Sequence, residues 1–118
     1  MFFNSKKRRF AKLVNLTCES EDPYDRIQYG QEALTMLKEM QPWPYRRGRN
    51  ARQTMAVLYA ARAQAYAELA YKNRSTDATA YQTEFDLAEA HFRPEDNEDW
   101  VLYHLSRAQS LWSSRNAP

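Results

Sequence analysis

The residues that could hold a metal or move a proton are few: Cys18, His91, His104 and one run of acids. The histidines stand thirteen residues apart, and neither is followed by a second His or Cys at ligand spacing. A zinc site gathers such ligands in close pairs, so no metal site is expected from these residues. His91 falls near the C-terminal end of a predicted helix, where a partial positive charge is welcome, and is expected to help cap it. The stretch "PEDNEDW" gathers Glu95, Asp96, Glu98 and Asp99. A calcium loop alternates its ligands around a central glycine. None is present here, so these acids are expected to be solvated at a helix N-terminus. No second acidic cluster falls on a core-facing position, and paired carboxylates for acid–base work are not expected. The chain has two glycines, which excludes the phosphate loop G-x-x-x-x-G-K and the dinucleotide turn G-x-G-x-x-G. No catalytic residue set and no cofactor are therefore predicted.

Binding chemistry is more visible. The stretch "PWPYRRGRNAR" places Arg46, Arg47, Arg49 and Arg52 around a predicted helix N-terminus, whose own N–H groups favour anions. Trp43 and Tyr45 beside them could stack on bases or hold a peptide. Lys6, Lys7, Arg8, Arg9 and Lys12 form a second basic patch in the same half of the chain. Arg62 lies on an apolar helical stripe, where an arginine snorkels, pairs with a buried acid or anchors a ligand carboxylate. Three readings of the arginine-rich stretch stand open. Trp43 and Tyr45 pack under the loop while the arginines pair with Glu19, Glu21, Asp22 and Asp25, or the stretch binds an acidic protein, or it binds nucleic acid. A pI of 8.7 is below that of dedicated nucleic-acid modules. Residues 1–62 hold twelve Lys/Arg against six Asp/Glu, and residues 63–118 hold five against nine, so charges of +6 and −4 sum to the net +2. Such polarity steers charged partners, or lets neighbouring copies or hairpins complement one another.

The elements that must position these residues are helices. With 43% hydrophobic residues the chain can bury a core, and its length suits one domain. Two glycines and five prolines are too few for the turns of a β-sandwich or barrel. Five helices are predicted. The first, about Phe3 to Thr17, places Phe3, Phe10, Leu13, Val14 and Thr17 on one face and basic residues around the rest. The second runs from about Pro23, capped by Asp22, to Gln41, with a stripe of Ile27, Gly30, Leu34, Leu37 and Met40 or Gln41. Pro42 and Pro44 stop it, Gly48 turns the chain, and Asn50 caps the third helix. That helix recurs at Met55, Leu58, Tyr59, Arg62, Ala65, Tyr66 and Leu69. Its second face is Ala56, Ala60, Ala63 and Ala67, so it is expected to be covered on two sides. Ser75, Thr76 or Asp77 caps the fourth, whose stripe is Ala78, Tyr81, Phe85, Ala88 and Phe92. The fifth begins near Asn97 and carries Val101, Leu105, Ala108 and Trp112. Leu34, Leu37, Leu58, Phe85, Leu105 and Trp112 are expected in the core. The fold class is all-α: about five antiparallel helices in a hairpin stack or small bundle. Residues 1–20 make the basic N-terminal helix, 23–112 the stack and 113–118 a frayed tail.

A repeat of about 34 residues is the natural period for such hairpins. In "AYQTEFDLAEAHFRP", Tyr81, Phe85 and Ala88, with Pro94 after them, resemble the second helix of a tetratricopeptide repeat. "EALTMLKEMQPWP" gives a similar phrase in Ala33, Leu37 and Met40 followed by Pro44. "LYAARAQAYAEL" resembles the Ala- and Tyr-rich first helix, and residues 62–112 resemble repeat arrays attached to some actinobacterial regulators. Over residues 24–112 the resemblance implies a non-catalytic scaffold that binds protein segments on its concave face. A protein or peptide partner is thus expected, with nucleic acid as the alternative and a homo-oligomer open. The single cysteine suits a reducing compartment. No apolar run reaches the roughly 20 residues of a membrane span, and the start lacks the apolar region of a signal peptide, so a cytoplasmic location is expected.

Overall fold

The computed structural model describes residues 2–40, 50–72, 78–96 and 98–115, with side chains from residue 5 onward. The arginine-rich connection 41–49, the caps expected at 75–77 and the last three residues lie outside this set. The described residues form five α-helices and no strand: α1 (Phe2–Glu19), α2 (Pro23–Glu39), α3 (Ala51–Tyr71), α4 (Ala78–His91) and α5 (Asp99–Ser114). A single 3-10 turn, Pro94–Asp96, precedes α5. The helix starts follow local chemistry. Asp22 accepts a hydrogen bond from the Tyr24 N–H at 2.8 Å, with Pro23 in the first turn. Asn50 and Gln53 exchange side-chain and backbone bonds at 2.9 and 2.8 Å, a reciprocal box that satisfies two N–H groups left over at the start of α3.

Everything is arranged around α3, which packs against each of the other four helices. One face of α3 meets α1 and α2. There Leu58 joins Phe10, Leu13, Ala33, Leu34, Leu37 and Met40 in one apolar cluster. The opposite face is the alanine row. Ala56 and Ala60 meet Ala88 of α4 and Val101 and Leu105 of α5, and Ala63 and Ala67 meet Tyr81, Ala108 and Leu111. The alanines of this row are at most 1% exposed, so the two-sided burial read from the sequence holds. Small side chains allow two further helix axes to lie close on one flank, and packing density then replaces side-chain bulk. Contacts with α4 run in opposite chain order to α3, and those with α5 in the same order.

Two residues expected in the core sit at its border. Phe85 and Trp112 are half-buried against the second and third clusters. Tyr81 takes the interior place instead, at 4% exposure, and Trp112 stacks on it with ring centroids 4.1 Å apart and planes 6° from parallel. The physical reason is packing: Tyr81 lies among Ala63 and Ala67 of α3 and Ala108 and Leu111 of α5, while Phe85 and Trp112 pack against the outside of that cluster. The first helix runs two residues past the expected end, the second stops two short, and α5 begins at Asp99 after the 3-10 turn.

Gly30 is needed by α3. A Cβ built there would lie 2.7 Å from Cγ and Cδ of Arg62 and 3.1 Å from Cγ2 of Thr17. The stem of Arg62 crosses α2 through this gap, and its far end is tied to α4, so it has little freedom to give way. At an unconstrained helix position alanine gains roughly 1 kcal/mol over glycine. Here we expect Gly30→Ala to lose roughly 1–3 kcal/mol, the usual cost of overpacking, in urea denaturation. In an Arg62→Ala background the same substitution should become neutral or favourable. A gain in the otherwise unaltered chain would contradict this packing.

Candidate functional site

Three polar side chains of α3 each reach a different helix. Arg62 donates from Nη1 to Oε1 of Glu84 on α4 at 2.6 Å. Gln64 accepts, through Oε1, from Nδ1 of His104 on α5 at 2.5 Å. Glu68 pairs with Arg26 of α2 and, at 3.5 Å, with Lys72 one turn further along its own helix. Arg26, Arg62, Gln64, Glu84 and His104 are all buried. Buried polar groups of this kind must be satisfied or they cost free energy. Four atoms have no partner among the described residues: Nε of Arg26, Nε of Arg62, Oε2 of Glu84 and Nε2 of His104. Burial pushes the Glu84 carboxyl above its ordinary range despite the attraction of Arg62. Burial, with the nearby Arg26 charge adding to it, pushes the His104 imidazole down to about 4. Its Nδ1–H is the donor to Gln64, which leaves Nε2 as the bare nitrogen.

An open cleft of about 340 Å³ lies over one part of this array, between the α1–α2 link, α2, α3 and α5. Arg26, Gln64 and Glu68 form its polar floor, and Tyr71, Lys72, Tyr103 and Arg107 stand at its edge. Tyr71 and Tyr103 are half exposed, at 49% and 54%. Arg26, Lys72 and Arg107 oppose Glu21 and Glu68 here, leaving one positive charge in excess. Such a cleft can seat an apolar or aromatic group beside an acidic one. Among the described residues that line it, no nucleophile is held by a base.

The residues singled out in the sequence are placed as follows. Arg62 takes the buried-acid option through Glu84. Arg52 is bidentate to Asp96, Nη1 to Oδ2 and Nη2 to Oδ1, both at 2.7 Å, and Nη1 also donates to the His91 carbonyl at 2.7 Å. It therefore fastens the start of α3 to the turn between α4 and α5. Asp96 was expected to be solvated with its neighbours. Instead its side chain is 5% exposed, because Arg52, Gln53 and the Arg93 N–H converge on it. His91 does cap α4, with Nδ1 2.8 Å from the Leu87 carbonyl. Lys6, Arg8, Arg9 and Lys12 are exposed on α1 and Lys7 is half-buried. Trp43, Tyr45, Arg46, Arg47 and Arg49 lie outside the described residues. Sequence reasoning missed Arg26, Gln64, Glu68, Glu84, His104 and the cleft tyrosines. A signal existed for three of them: Arg26, Glu84 and His104 each occupy an apolar stripe at helical spacing, as Arg62 does. Among the described residues no three His, Cys, Asp or Glu side chains gather as a metal site, and no helix is long and apolar enough to cross a membrane.

Two titrations should be separable in stability. His104 is depressed from 6.5 to about 4, so the unfolded chain takes up its proton first, and stability falls as pH drops from 6.5 towards 4. At about 1.4 kcal/mol per unit this amounts to roughly 3 kcal/mol. Asp96 is held down at about 2, foremost by its hydrogen bonds from Arg52, so its stabilising effect is present above 3.8 and is lost towards 2. Urea denaturation against pH should show both slopes. His104→Phe should flatten the upper one and Asp96→Asn the lower, and an unchanged upper slope in His104→Phe would contradict the burial of that ring. No family model matches this chain, and neither a curated protein nor a solved structure does.

Proposed function

We propose that this chain is a non-catalytic helical interaction module, resembling a tetratricopeptide-repeat stack, that binds a segment of a partner protein. The observation that carries this reading is the cleft between α2, α3 and α5, with its buried ionic floor and half-exposed Tyr71 and Tyr103. Aromatic residues left exposed around a concave site are the usual anchors of protein interfaces. The excess positive charge favours an acidic segment, since complementary charge speeds encounter and selects partners. The floor suits recognition better than catalysis, because its polar groups are already engaged: Arg26 pairs with Glu68, and Gln64 is held by His104. A cytoplasmic setting fits the lone, half-buried Cys18.

A second reading, nucleic-acid binding, is favoured by α1. Arg8, Arg9 and Lys12 are exposed along it, and no acid precedes Glu19. The experiment separates the two. Tagged wild type, a cleft variant (Tyr71→Ala with Lys72→Glu) and an α1 variant (Arg8→Glu with Arg9→Glu) are purified from the native cells. Co-purifying protein and nucleic acid are then identified. A protein retained by wild type and the α1 variant, and reduced at least tenfold by the cleft variant, is the expected result. Nucleic acid retained by wild type and the cleft variant, lost by the α1 variant and released between about 50 and 200 mM salt, would overturn it.

A further inference from the structure

The outer face of α5 is built symmetrically about Tyr103. Asp99 stands four residues before it and Arg107 four after, while Trp100 stands three before and Ser106 three after. At about 3.6 residues per turn these five point away from Val101, His104, Leu105, Ala108 and Leu111, the residues α5 buries. All five are exposed, and Trp100 and Tyr103 are more than half so. The two rings are not loose: they meet edge to face, 5.8 Å between centroids and 85° between planes, and Trp100 also lies over His104. Neither Asp99 nor Arg107 is engaged in an ion pair among the described residues. Free opposite charges, flanking a pre-set aromatic pair on one helical face, describe an interface that lacks its other half.

We propose that the other half is a second copy of this chain, with the two α5 helices packed antiparallel about a two-fold axis through Tyr103. Such an axis exchanges the position four residues before Tyr103 with the position four after it. Asp99 then meets Arg107 of the second copy, and Arg107 meets its Asp99. The same operation sets Trp100 against Ser106 of the second copy, a large ring over a small side chain, and brings the two Tyr103 rings together. This is an isologous contact, closed at two copies. The direction is fixed by charge. A parallel pair would place Asp99 on Asp99 and Arg107 on Arg107, like charge on like. One helix face is a small contact, at the low end of specific interfaces, so the pair forms and dissociates with concentration. The proposal does not rest on the cleft reading, although the second copy covers Tyr103 and Arg107 at the cleft's edge.

Charge exchange tests it. Asp99→Arg, Arg107→Asp and the double variant carrying both are studied by sedimentation equilibrium beside wild type, at up to about 100 μM, a range suited to weak interfaces. Wild type should be a dimer at the upper end. Each single variant should be a monomer, because every pair it forms opposes like charges. An equimolar mixture of the two singles should recover the dimer, since position 99 of one chain and position 107 of the other then carry opposite charges again. The double variant should recover it alone. Ser106→Trp, which fills the recess for Trp100 and leaves the first turn of α5 intact, should also be monomeric while melting normally. A wild type that stays monomeric throughout, singles that dimerise as wild type does, or a mixture that remains monomeric would each overturn the proposal.

Discussion

The position of α3 constrains the rest of the molecule, and the contact that most tightly fixes that position is the buried pair Arg62–Glu84. A helix touched by all the others can do this only if its flanks are small, and the alanine row meets that need. Small flanks specify little by themselves, however, because an alanine surface slides on its neighbours without large penalty. The polar residues supply the missing register. Arg62 selects Glu84 on α4, Gln64 selects His104 on α5 and Glu68 selects Arg26 on α2. Slipping any of these helices by one turn would leave a buried charge or a buried imidazole unmatched, at a cost of several kcal/mol per uncompensated ion. Gly30 belongs to the same constraint, since only a residue without Cβ lets the Arg62 stem pass.

This explains what was legible in the sequence. The helices were legible because periodicity and capping are local: Asp22 with Pro23, and Asn50, announce their helices within a turn. The double coverage of α3 was legible because alanine at every third or fourth position has few other uses. The partners of Arg62 and Arg52 were not. Glu84 lies 22 residues from Arg62 and Asp96 lies 44 from Arg52, so pairing them requires knowing which helices meet. The acid run around Asp96 reads as solvated from composition alone, and only the fold turns one of its members inward. Phe85 and Tyr81 share one stripe, and which ring enters the interior depends on how α4 packs against α3 and α5. The cleft was not legible at all, because it joins Arg26, Glu68 and Arg107 from three helices.

The polar interior also bears on the proposed binding of a partner segment. Rigid floors make specific binding sites, since side chains already held by neighbours lose little freedom when a partner arrives. Arg26 and Glu68 are held in this way below the half-exposed tyrosines at the cleft's edge. The outer face of α5 continues from that edge through Tyr103 and Arg107, so anything seated on α5 borders the cleft as well. Arg52–Asp96 lies apart, among the connections, and its work is to hold the start of α3 against the turn that leads into α5.

The most direct test of the central role of α3 is a double-mutant cycle on its buried pair, read by urea denaturation. Arg62→Met leaves Glu84 buried without its cation, and Glu84→Leu leaves Arg62 buried without its acid. Each should cost about 3–5 kcal/mol, as broken buried pairs do. The chain carrying both substitutions should be far more stable than the sum predicts, with a coupling of at least roughly 2 kcal/mol, because no charge is then stranded. Additive losses, or single losses of a few tenths, would contradict the claim that this pair fixes α3 among its neighbours.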